Sequence, residues 1–214
     1  MGITDKLASS LGRKDQRPNI ELGKSIARSQ DLSALDEIKQ LLNDDDMPTD
    51  IIADLLKTLE SVGENIPELI KGFYPEIKKY LYHPKNQIVW RAMCVMAQIA
   101  PYHRSGVFDD LPTIIKIMDE GSVITRDHGI NILVDLYHNG IQKDFITPLL
   151  EEQIIRAPDN QLGQYAEKWM KVIQTEDIGK LLGILEERFP DLVNEAHRKR
   201  VERIMKKLTK RINL

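Results

Sequence analysis

Residues 85–100, KNQIVWRAMCVMAQIA, read as one amphipathic helix with Ala92, Met96 and Ile99 in line on one face. Thirty-seven residues later the same slots hold Gly129, Leu133 and Leu136, and a further 37 give Ala166, Met170 and Ile173. Thirty-seven residues earlier they hold Leu55, Leu59 and Val62. Four helices therefore share one register without a gap, the signature of an internal repeat. The slot three after the first, Val95, Ile132 and Trp169, widens the apolar stripe. Ala92, Gly129 and Ala166 let neighbouring backbones approach closely. One helix pair cannot bury such a stripe alone, whereas a stack of pairs can.

The chain breakers keep the same beat. Pro84, Gly121 and Pro158 are 37 apart and separate the two helices of successive pairs. Pro75 and Pro112 are 37 apart, Pro148 follows 36 later, and all three open or kink a first helix. The pairs read as Leu32 to Leu42 with Thr49 to Val62, Pro67 to Tyr82 with Lys85 to Ala100, and Asp110 to Glu120 with Ser122 to His138. Lys143 to Arg156 with Asp159 to Gln174, and Glu176 to Phe189 with Asp191 to Ile212, complete the series. Thr49 is the expected cap of its helix. Ile3 to Leu11 and Asn19 to Arg28 read as short helices joined by the polar GRKDQRP segment. They lie outside the ladder and are expected to cover the open face of the first repeat. The expected organisation is residues 1–30 as capping helices and 31–214 as the repeat domain.

These patterns resemble the HEAT-repeat, armadillo-like family, on PEIKKYLYHPKNQIVWRAMCVMAQIA and PTIIKIMDEGSVITRDHGINILVDLY above all. The resemblance covers roughly Leu32 to Leu208 and points to no subfamily. The Val-Arg step frequent in that family is met only by Ile88 and by Arg126. The fifth pair repeats the triplet as Val201, Met205 and Leu208 after a 35-residue step, as suits a terminal unit. The implied fold is all-α, a right-handed α-solenoid of about five HEAT-like helix pairs.

With the buried stripe fixed, the other faces of the second helices follow at about 100° per residue. One flank, Met93, Ala97 and Ala100, then Ile130, Val134 and Tyr137, is apolar and is expected to meet adjacent helices. The other is polar: Asp54, Lys57 and Ser61; Gln87, Arg91, Cys94 and Gln98; His128, Asn131 and Asp135; Gln161, Tyr165 and Lys168. By the resemblance, second helices line the concave side, which makes Arg91, Gln98, His128, Asn131, Asp135, Tyr165 and Lys168 the candidate partner-binding ridge. Arg and Tyr are types enriched at binding hot spots. The bland alternative is a solvated face.

The net charge is −3, which gives no global attraction to nucleic acid. From His197 to Leu214, however, eight Lys/Arg face one Glu. Arg198, Lys199, Arg200, Arg203, Lys206 and Lys207 thus lie on a basic amphipathic helix. It either caps the stack or binds an acidic partner, a membrane surface or nucleic acid.

Reaction chemistry has little foothold. Cys94 is the single cysteine, set beside the apolar stripe, and the five histidines show no zinc-ligand spacing with it. No phosphate loop or nucleophile elbow is present. A HEAT-like DNA glycosylase needs a basic groove with Trp and a catalytic Asp; Trp90 has no such Asp beside it and Trp169 falls in a core slot. No signal-peptide core or membrane-length apolar run occurs in the sequence. The expectation is a cytoplasmic, non-enzymatic scaffold with no cofactor or metal and no membrane insertion, binding a protein or peptide. A nucleic-acid-associated protein is the alternative.

Overall fold

The computed structural model describes residues 2–212, which form helices and turns, with no strand among them. The helices are α1 (Arg17–Ser29), α2 (Leu32–Leu42), α3 (Thr49–Asn65), α4 (Tyr74–Tyr80), α5 (Asn86–Ile99) and α6 (Arg104–Asp109). They continue as α7 (Leu111–Glu120), α8 (Val123–His138), α9 (Lys143–Ile155), α10 (Asp159–Met170), α11 (Ile178–Arg188) and α12 (Glu195–Ile212). The chain divides into two compact units, Met1–Gly129 and Ile130–Leu214, the boundary falling inside α8.

In the first unit, α3 and α5, the second helices of the first two pairs, pack side by side, α1 packs on α3, and α4 pairs with α5. Leu55, Leu59, Val62, Ala92, Met96 and Ile99 are all buried, as the repeat demands. In the second unit, α10 packs on α12 and α9 on α11, so first helices meet first helices and second helices meet second. There Leu133, Leu136, Ala166 and Ile173 are buried, and the Trp169 ring meets Tyr137 edge-on at 5.7 Å. Burying each such large apolar side chain contributes roughly 1.5–3 kcal/mol. Met170 alone of the four triplets stays partly open.

Pro75 acts as the spacing predicts. A 3-10 stretch, Pro67–Phe73, precedes α4, and Pro75 sits in the first turn of α4, where its missing N–H costs no bond. Pro112 does the same in α7, while Pro148 lies inside α9.

Two expectations are corrected, and one helix lies where none was expected. Ile3 to Leu11 is not a helix: after one 3-10 turn at Thr4–Lys6, Leu7 is extended and the chain proceeds through turns. Its amides are held elsewhere, Ala8 N–H by Asn19 Oδ1 at 2.9 Å and Ser9 N–H by Asp54 Oδ2 at 2.7 Å. Thr49 is the first helical residue rather than the cap; its hydroxyl accepts from Lys85 Nζ at 3.0 Å. Helix α6 was not legible, because Gly106 and Pro101 mark the segment as loop. Gly106 in fact lets the helix lie against the Tyr74 ring, whose hydroxyl a Cβ there would meet at 2.8 Å.

Candidate functional site

The first unit holds Arg91, Gln98 and His128 of the expected ridge. Arg91 is only 4% exposed, so it is no open anchor. Its guanidinium lies 4.5 Å from the Trp90 ring centroid. Burial lowers its pKa, against the opposing pull of Glu60 and Asp54. Gln98 Nε2 donates to the Glu60 carbonyl of α3 at 3.1 Å, and Gln98 is half-buried. Cys94 is buried between them, and burial, reinforced by Glu60, pushes its thiol up to about 12. It therefore stays protonated at neutral pH and is a poor nucleophile. This polar flank is thus the packing face between α3 and α5. The helical period gave its angle correctly, but a polar sector can face another helix as readily as water. His128 is half-buried.

The same face of α3 is covered by the chain itself. Asp54 is 3% exposed; its Oδ1 accepts from Asn19 Nδ2 at 2.7 Å, and its Oδ2 accepts from Ser9 N–H. Ser61 Oγ donates to the Ile20 carbonyl at 2.9 Å. Gly23 makes this closeness possible: a Cβ there would stand 2.5 Å from the Thr58 carbonyl oxygen.

In the second unit, Tyr165 is fully buried rather than presented. Asn131, Asp135 and Lys168 do come together. With Val134, His138, Lys171 and Val172 they line a surface groove of about 300 Å³ between the C-terminal half of α8 and the end of α10. Asn131 is exposed, while Asp135 and Lys168 are half-buried. Lys168 Nζ lies 5.8 Å from the Tyr165 ring centroid, so the buried ring steadies the lysine stem. The groove has an apolar floor from two valines, an amide that both donates and accepts, and rim charges of both signs. His138 and Val172 continue the same sector three residues past Asp135 and four past Lys168, so the helical period could have found them; Lys171 lies just past the end of α10.

The basic helix α12 buries Val201, Ile204 and Leu208. Several of its cations are engaged internally. Arg198 stacks 4.4 Å over the Phe189 ring and donates to the Phe189 and Leu192 carbonyls. Arg200 pairs with Glu167 at 2.6 Å, and Arg211 donates to the Met170 and Ile173 carbonyls at the end of α10. Lys199 and Lys206 pair with Glu195 and Glu202 one turn away. Arg203 Nε donates to the Lys199 carbonyl, and Lys207 is exposed. A polar outer face over an apolar stripe is what a terminal repeat requires.

A larger groove of about 590 Å³ lies at the turn edge of the first unit, lined by Tyr82, His83, Val89, Lys116, Ile117 and Glu120 among others. Among the described residues, no three His, Cys, Asp or Glu gather as a metal site, and no helix is long and apolar enough to cross a membrane.

The architecture has close structural counterparts. A designed armadillo repeat protein solved in complex with the peptide (KR)4 matches with a TM-score of 0.69 over 92% of this chain and 91% of its own, at 15% identity. The fold is an armadillo-like, HEAT-like α-solenoid. Computationally designed armadillo repeat proteins for modular peptide recognition match at TM-score 0.65 and 15% identity, covering 89% of the solenoid and 92% of their own chain. Cex1p matches at TM-score 0.64 and 13% identity over 92% of this chain and 40% of its own. No protein-family profile matches the solenoid, and no curated protein matches it in sequence.

Proposed function

We propose that this solenoid is a non-enzymatic scaffold that binds a segment of a partner protein along its second helices, with the α8–α10 groove as the principal contact. The supporting observation is the convergence of Asn131, Asp135 and Lys168 from successive second helices on one groove floored by Val134 and Val172. An exposed asparagine side chain can donate to a peptide carbonyl and accept from a peptide amide at once. Asp135 and Lys168 then read flanking charge, and the valines take an apolar side chain. A few such anchors carry most of the binding energy. The likeness to armadillo proteins designed for peptide recognition favours the same reading. Residues 1–30 serve as a cap of the repeat domain, and α12 as its other cap. A cytoplasmic setting suits a protein whose single cysteine is free and buried.

The test is peptide selection from a random library on the full chain, followed by affinity measurements on variants. Asp135→Lys with Lys168→Glu is expected to weaken the selected peptides at least about tenfold, or about 1.4 kcal/mol. Lys206→Glu with Lys207→Glu is expected to leave them within about twofold. The opposite pattern, with competition by nucleic acid and a steep fall with salt, would move the function to α12 and phosphate binding.

A further inference from the structure

We propose that residues 3–9 are a displaceable, self-supplied occupant of a peptide site on the first repeat. This inference rests on the peptide-binding reading and locates its first rung. The segment sits as a bound peptide would. Ile3 and Leu7 are four residues apart and both buried, and Ala8 is buried beside them. Three of its main-chain amides are taken by side chains of three different helices, while those of Lys6 and Leu7 close its own 3-10 turn. Ile3 N–H goes to Glu37 Oε1 on α2 at 2.7 Å, Ala8 N–H to Asn19 Oδ1 on α1, and Ser9 N–H to Asp54 Oδ2 on α3.

Asp54 is also a register position. It lies 37 residues before Arg91, which lies 37 before His128 and 74 before Tyr165. The slot that the repeat carries along the second helices is, at its first occurrence, holding a polypeptide amide.

Two features separate this strap from an ordinary packed turn. Beyond its own 3-10 turn and the turn bonds from Leu11 and Arg13, it is fastened to the helices by side chains rather than by a helix or sheet ladder, so it can leave with the following turn without unravelling a helix. The connection that follows, residues 10–15, is exposed, and Gly12 sits at φ +64° with no neighbour against it. The vacated site would not be indifferent to its next occupant. Asn19 and Asp54 are buried, and without amide donors they would be left as desolvated acceptors. The site therefore selects a segment with an apolar side chain, three residues, a second apolar side chain, and free main-chain amides just after it.

The experiment uses the full chain and a fluorescein-labelled peptide of residues 2–12, followed by anisotropy. Ile3→Ser with Leu7→Ser unseats the internal strap. This variant is expected to bind the peptide at least tenfold more tightly than the wild type. Adding Asp54→Asn, or using a peptide with Leu7→Asp, should remove the gain. An unseated variant with wild-type circular dichroism and no tighter binding would overturn the proposal. Should that variant fail to fold, hydrogen exchange on the wild type decides. The Ala8 and Ser9 amides must exchange at least tenfold faster than those of Leu55 to Leu59. Equal rates mean that the strap leaves only on unfolding, which also overturns it. Asp135→Lys with Lys168→Glu must leave strap-peptide binding unchanged, so failure at the α8–α10 groove is told apart from failure here.

Discussion

The second-helix face is used in two ways in this molecule. At Asp54 it is covered: α1 and the strap lie over it, and its polar groups are buried and paired. Between α8 and α10 it carries an open groove with Asn131 exposed and Asp135 and Lys168 half-buried. The contrast teaches that polar residues in a repeat register do not announce a free surface. What lies opposite decides whether they are structural acceptors or recognition groups. With the strap seated, substitutions should therefore cost stability at the first place and binding alone at the second.

The largest effect is expected at Gly23. Valine there places a Cβ against the Thr58 carbonyl and the Ser61 Cβ, and backbone cannot yield as a side-chain tip does. A loss of about 3 kcal/mol in urea unfolding is expected, at the upper end for overpacking. Next comes the paired test of the comparison itself. Asp54→Ala orphans the Ser9 amide and leaves Asn19 Nδ2 with Gln16 Oε1 as its remaining acceptor, and should cost about 2 kcal/mol. Asn131→Ala, at an exposed position of the open groove, should stay within about 0.5 kcal/mol. Equal costs at Asp54 and Asn131 would erase the distinction.

A smaller effect is expected at mildly alkaline pH. Burial raises Cys94 to about 12 and, with Asp45 and Asp44 adding, raises Tyr80 to about 12. Both folded values lie above the ordinary 9.0 and 10.0, so the folded state favours the protonated forms. Their contribution is complete below the unfolded pKa values and is lost as pH rises towards 12. The thermal midpoint should therefore fall progressively above about pH 9. The native thiol should also react with a disulfide reagent far more slowly than the unfolded one. The smallest effect is at Gly12, where alanine at φ +64° should cost about 1 kcal/mol and speed exchange of the Ala8 and Ser9 amides.

Much of the fold was legible. The 37-residue register placed the helices, the apolar triplets placed the core, and Pro75 marked the 3-10 to α-helix transition. The alternation of second helices appeared because burial imposes a 3.6-residue period on apolar side chains. The site was legible only in part. Asn131, Asp135 and Lys168 share a polar helical sector in the sequence, and the structure brings them to the lining of one groove. Arg91 and Tyr165 share that helical sector, but one packs between α3 and α5 and the other lies under the surface. Helical angle cannot report what a neighbouring helix supplies. The strap was read as a helix because Ile3, Leu7 and Leu11 recur four residues apart. Only the tertiary acceptors Glu37, Asn19 and Asp54 pull its amides out of that pattern.

The central claim is that the second-helix face reads a polypeptide. Its most direct test is amide-resolved NMR titration of the full chain with a library-selected peptide. The account predicts shift changes concentrated at Asn131, Asp135, Lys168 and Lys171. Changes confined to the exposed face of α12, or spread evenly with no cluster at the groove, would contradict it.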